Sequence, residues 1–202
     1  MNAVAHALDE LSVGAPQVYE SLVVFPLMGR DRGRIDYLTL DESLELGRSV
    51  VRELNEAGDV NQLLFENLDK RPVLLLDGEE LVGAKQNRIT NLTVLAPPQT
   101  HINLPVSCIE KGRWSYQGAH QNRHFSTSSG AHFAAGRASK ARQVTLNLSM
   151  NSRAADQNSI WDEVDHKMNQ MSVCSRSNSS TQIAEDYDQT LESYASAFRI
   201  IP

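Results

Sequence analysis

The chain has 202 residues, 41% of them hydrophobic and 22% charged, with a formal net charge of -6. This is ordinary usage for one globular domain that buries its core without disulfides, and it excludes collagenous and disulfide-scaffold classes; no apolar run reaches the ~18 residues of a membrane-crossing helix. Aromatics at 6% are too sparse for a broad single-strand stacking surface.

The first residues carry Asp9 and Glu10 and no base, so they do not read as a secretory signal. With two distant cysteines, Cys108 and Cys174, a reducing cytoplasm is the simpler setting. Residues 3–11 read as a short helix, stopped by Gly14 and Pro16. Residues 17–28 read as a strand with β-branched weight, and GRDRGR at 29–34 as a turn. A second strand is expected over 36–40, a short helix over 41–47 and a strand over 49–55 with Val50, Arg52 and Leu54 in alternation. Residues 60–67 and 72–76 read as strands, and Asp77-Gly78 as a turn. Residues 81–95 and 101–109 are extended in character, the latter with the cleanest period of two in the chain. Short strands at this spacing over 17–118 predict a sandwich or barrel.

The character then changes. Residues 119–155 are small, polar and basic, and read as a long Gly/Ser-rich connection. Two C-terminal helices follow within 156–202. Ser159 is expected to cap the first, with Ile160, Val164, Met168 and Met171 as its stripe. Thr181 is expected to cap the second, with Ile183, Tyr187, Leu191, Tyr194 and Phe198. The expected fold class is α+β: a single domain with a β-rich sandwich- or barrel-like N-terminal part and two C-terminal helices.

The charge is unevenly spread. Residues 1–110 hold 17 acids and 9 bases, residues 111–155 hold 7 bases and no acid, and residues 156–202 hold 8 acids and 3 bases. The middle block reads either as a strip for a phosphate or carboxylate or as a basic segment docked on the acidic remainder. A pI near 5.5 argues against DNA as the partner.

Two segments carry the candidate site. GEELVGAKQNR (78–88) puts Glu79, Glu80, Lys85, Gln86, Asn87 and Arg88 next to the apolar PVLLL. If it is extended, Val82, Ala84, Gln86 and Arg88 share one face. Polar side chains on a buried strand are costly unless paired or wet, which points to a polar cavity. CIEKGRW (108–114) adds Glu110, Arg113 and Trp114. Glu79 or Glu80 is the expected general acid or base, with Glu110 as partner across neighbouring strands. Arg88 and Arg113 would hold an anion. No CxxC, HExxH, GxGxxG, Walker or GxSxG pattern occurs, so no metal, cofactor or elbow serine is expected.

With PVLLLDG, NLTVLAP (91–97), RASKARQV (137–144) and QNSIWDEV (157–164), these motifs resemble the domain family associated with ADP-ribosylglycohydrolases and rhodanese-phosphatases. The resemblance implies a place in NAD and ADP-ribose handling, with proteins of that pathway as partners. It also implies a continuation past the last helix, so the chain is read as C-terminally truncated. A phosphorylated nucleotide-sugar such as ADP-ribose then fits the charge. Arg113, Arg137, Lys140 and Arg142 suit its phosphates, Gln86, Asn87 and Glu79 its ribose hydroxyls, and Trp114 its ring. The alternatives are a non-catalytic module that senses a ligand or holds a protein, and a structural ion-pair network at a sheet edge.

Overall fold

The structure is a computed structural model that describes residues 3–30, 36–116, 124–172 and 188–198. The chain forms two compact units.

The larger unit spans Asp36–Asp186. Its strands are β5 (Leu38–Thr39), β6 (Ser49–Glu53), β7 (Gln62–Asn67), β8 (Val73–Leu75), β9 (Glu79–Gly83), β10 (Arg88–Thr90), β11 (Val94–Ala96), β12 (His101–Cys108) and β13 (Phe125–Ala131). Its helices are α2 (Leu40–Glu45), α3 (Ala134–Leu148) and α4 (Gln157–Gln170). Six strands form an antiparallel sheet in the order β13-β9-β10-β12-β7-β6. The sheet curls until its edges meet, among the described residues, at the bridge of Arg52 to His124, giving a nearly closed barrel. A second sheet, β11-β8-β5, contains one parallel pair, β5 with β8. The expected α+β class, β-rich then helical, is what the structure shows.

Alternation builds the barrel. In β6 and β7 every second residue is buried, so Val51, Leu63 and Phe65 fill the interior with Leu81, Leu104 and Val106. The pattern in β12 changes partway: Val106–Cys108 is buried on both faces, because α4 covers its outer side there. Ile89, Ile109 and Ile160 form the small apolar layer between sheet and helix. The Gln157 side chain fixes that contact, accepting from the Cys108 N–H at 2.8 Å and donating to the Cys108 carbonyl at 2.6 Å. Pro105, which has no N–H, sits just before the ladder with β10 begins at Val106, and its carbonyl accepts from the Asn91 N–H at 2.9 Å.

Several expectations are corrected. Residues 81–95 are not one extended run: β9 and β10 are joined by a turn over 84–87, with Ala84 at φ 40°. The proposed single face of Val82, Ala84, Gln86 and Arg88 therefore does not exist. The phase of β6 is the opposite of that expected, burying Ser49, Val51 and Glu53. The basic block is not all connection, since Ala134–Leu148 is a helix; its mixed apolar and basic sequence hid the period. Helix α4 starts earlier than expected, capped by Asp156, whose carboxylate accepts from Asn158 N–H and Ser159 Oγ. The Thr181 cap lies outside the described residues.

The smaller unit comprises Met1–Ile35 and Tyr187–Pro202. It contains α1 (Ala3–Asp9), two short antiparallel pairs and α5 (Asp188–Ala197). β1 (Ser12–Val13) pairs with β4 (Leu27–Met28), and β2 (Gln17–Tyr19) with β3 (Leu22–Val24). The strand expected over 17–28 is thus a hairpin turning at Glu20, followed by a separate short strand. Tyr19 and Tyr194 meet edge to face at 5.0 Å.

Candidate functional site

Among the described residues Lys85, Arg88 and Lys140 are buried and Arg113 is half-buried, and the partners of these four cations divide them into two classes. Lys140 and Arg113 have carboxylates; Lys85 and Arg88 do not.

Arg88 stands between Leu81 of β9 and Cys108 of β12 and is wholly buried. Its Nη1 donates to the Gln86 carbonyl at 3.1 Å and to Gln86 Oε1 at 2.9 Å. Its Nε and Nη2 have no hydrogen-bond partner. The guanidinium carbon lies 5.3 Å from the Trp114 ring centroid. Burial presses the Arg88 pKa down, against the opposing pull of Cys108 and Glu53. A guanidinium keeps its proton even so.

Lys85 comes from the turn between β9 and β10. Its ammonium donates to the Glu56 carbonyl and, at 2.8 Å, to the Ala57 carbonyl. It lies 5.4 Å from the Trp114 centroid and 5.5 Å from that of Tyr116. Gly58 is where these groups converge. A Cβ there would stand 3.0 Å from Trp114 and 3.3 Å from both Glu53 Oε2 and Lys85 Cδ, and its φ of 79° favours glycine in any case.

Glu53 ends β6 with its side chain on the inner face, only 6% exposed. Neither carboxylate oxygen has a hydrogen-bond partner. It lines a cavity of about 220 Å³ with Asn55, Glu56, Tyr116, His124 and Arg52.

Glu110 is fully engaged. Its Oε1 accepts from Arg113 Nε at 2.9 Å, and its Oε2 accepts from Arg113 Nη2 at 2.6 Å and from the Asn87 N–H at 3.0 Å. Arg113 also donates to the Ala84 and Ser115 carbonyls and to Asn87 Oδ1. Gln86 donates to the Glu110 carbonyl. Asn87 Oδ1 accepts from the Gly83 N–H as well. These bonds close the 84–87 turn onto the segment after β12 and hold Lys85 and Arg88 in place.

The other clamp is on the helix. Lys140 of α3, 1% exposed, pairs with Asp77 and donates to the Thr90 carbonyl at 2.8 Å. Burial lowers its pKa, and Asp77 works against that shift. Arg137 Nε is 3.9 Å from Asp77, and its stem presses on Gly78, where a Cβ would stand 2.6 Å from Arg137 Cδ. Part of the basic block is thus docked on acids of the same chain. Glu80 lies 3.7 Å from His132 Nδ1, both buried. Glu79 Oε2 accepts from the Leu76 N–H at 2.9 Å, and the Glu79 N–H donates to Thr90 Oγ1. Thr90 pairs with Val106, so Glu79 sits beside that rung while Glu110 lies four residues beyond it.

Burial raises the Glu79 pKa above its usual 4.5. A carboxyl harder to ionise when folded binds more protons in the native state just above that value, so stability falls as pH rises through this window. Glu79→Gln should remove that decline, read from denaturant midpoints between about pH 4 and 7.

Residues 10–202 match the family described as the ARG and Rhodanese-Phosphatase-superfamily-associated Protein domain, ARPP-1. The chain belongs to the ARPP-1 family. No curated protein and no solved structure matches it. The ARPP-1 description states an association with ARG and rhodanese-phosphatase proteins. Among the described residues of this ARPP-1 domain, no group of three metal-ligating side chains occurs, and no helix is long and apolar enough to cross a membrane.

The ARPP-1 fold brings Lys85, Gln86, Asn87, Arg88, Glu110, Arg113 and Trp114 together at one end of the barrel. It places Glu79, Glu80, Arg137 and Lys140 around Asp77 and His132. Glu53 and Tyr116 were not singled out in the sequence. For Glu53 a signal existed: in SVVRE an acid occupies the same phase as Val51, on the buried side of a strand.

Proposed function

We propose that this ARPP-1 domain binds a phosphorylated nucleotide-sugar such as ADP-ribose, with its anionic part drawn to Lys85 and Arg88 at the barrel end. One observation carries the reading: two buried cations lie side by side against Trp114, and neither hydrogen-bonds a carboxylate. Buried charges are normally paired, and the chain pairs Arg113 and Lys140 in that way. Lys85 and Arg88 therefore hold a positive field that the nearby Glu53 offsets without bonding to either, and that draws an anion from outside the chain. The stated association with ARG proteins is consistent with a ligand of the ADP-ribose type.

In this reading Gln86, Asn87 and Arg113 position the two cations, and Trp114 covers them with its ring. Arg137 and Lys140 hold the helix to the sheet, with Arg137 partly exposed for a second phosphate. The carboxylates expected to catalyse, Glu79, Glu80 and Glu110, are drawn into bonds within the fold. That engagement favours binding without turnover over hydrolysis.

Thermal unfolding with ADP-ribose, NAD and inorganic phosphate tests the proposal. At one hundred times its dissociation constant a true ligand adds roughly 2.7 kcal/mol of stability. The shift should appear with ADP-ribose and vanish in Arg88→Met, which keeps the bulk of the side chain and loses its charge. No shift with any of the three overturns the proposal. Recovered ligand that has changed mass converts the module into an enzyme.

A further inference from the structure

Among the buried acids beside the barrel end, Glu53 stands apart. Glu110 has three donors. Glu53 has none, although it is almost wholly buried and lines a cavity of about 220 Å³. A buried carboxylate with both oxygens bare is costly unless a donor arrives.

We infer that Glu53 is the specificity-determining residue of this site, accepting hydrogen bonds from the hydroxyls of a sugar seated in the cavity. The inference rests on the phosphate-binding proposal above and names the part of the ligand that enters. Size favours a single ring: whole drug-sized ligands occupy pockets of roughly 300–1,000 Å³, more than this cavity offers. Charge decides the donor. Arg88 lies within electrostatic reach of Glu53, and Lys85 meets it around Gly58. An ammonium donor would face both cations; a neutral hydroxyl faces no repulsion. The Tyr116 side chain on the cavity wall supplies an apolar surface for a sugar ring. The same two cations draw the phosphate that such a sugar carries, so the fitting ligand class is a phosphorylated ribose with its hydroxyls intact.

The probes are ribose 5-phosphate, 2-deoxyribose 5-phosphate and inorganic phosphate, titrated calorimetrically into the wild-type chain and Glu53→Gln. Wild type should prefer ribose 5-phosphate over its 2-deoxy analogue by about tenfold, the loss of one good hydrogen bond to a charged group. Glu53→Gln should erase that preference and still bind inorganic phosphate. Unliganded Glu53→Gln should keep the wild-type circular dichroism spectrum and a cooperative melting transition. That separates lost recognition from lost folding. Phosphate-containing probes that bind with no preference for the hydroxyl, or a preference that survives Glu53→Gln, overturn the inference and leave the phosphate proposal standing. Failure of all three probes to bind overturns the inference, and failure of ADP-ribose to bind as well overturns both.

Discussion

Glu110→Ala should destabilise the domain by about 3–5 kcal/mol, the cost of removing one partner from a buried ion pair. Glu110 is 1% exposed, and Arg113 takes both of its oxygens while the Asn87 N–H takes one as well. Deleting the carboxylate strands the guanidinium and leaves the turn over 84–87 without its main tie to the segment after β12. Chemical denaturation should show a lower midpoint with an unchanged slope. Glu110→Gln, which still accepts from Asn87, should lose less. The corresponding Arg113→Ala change strands Glu110 instead, so it lowers stability and ligand affinity together. Arg88, which has no carboxylate bonded to it, is the cleaner position for a binding test.

Asp77→Ala should be the second most damaging change, near 3 kcal/mol, the lower end of the same range because Asp77 is 20% exposed. It leaves the Lys140 ammonium buried with only the Thr90 carbonyl. The pH dependence identifies the cause. Burial already holds the Lys140 pKa below 10.5, so the unfolded chain binds more protons and stability rises with pH on the approach to that value. Without Asp77 the depression deepens, and the variant should regain stability toward alkaline pH more steeply than wild type. Asp77→Ala combined with Lys140→Met should recover most of the loss at neutral pH. An alkaline limb with the wild-type slope would count against the stranded ammonium as the cause.

The barrel was legible where its strands alternate: the period of two in residues 101–109 and the apolar core of 60–67 needed no tertiary information. Helix α3 was not, because its three buried positions include a glycine and a lysine, Gly136 and Lys140, which carry no apolar signal. The two site segments were also legible, as polar residues where a buried strand was expected. What could not be read was the pairing. Sequence places Arg88, Arg113 and Lys140 in one class of base, and only the fold shows that two of them have carboxylates. It also could not show that Glu110, offered as a catalytic partner, is held by Arg113 and Asn87, or that Glu53, 57 positions upstream, is buried with no hydrogen-bond donor. Its burial depends on the phase of β6, which Leu54 and Val50 disguised.

Among the described residues the barrel is closed by a single bridge, Arg52 to His124, whereas β12 with β7 and β6 with β7 share ladders of several residues. Both bridge residues also line the cavity beside Glu53. Local opening follows the least-bonded line of a fold, so this seam should exchange its amide hydrogens before β7 or β12 does. A ligand that spans the seam would act as a staple across it. Its residence time would then be governed by the breathing of the sheet edge more than by the strength of any one contact, and slowed exchange at Arg52 would report occupancy even where no spectroscopic change does.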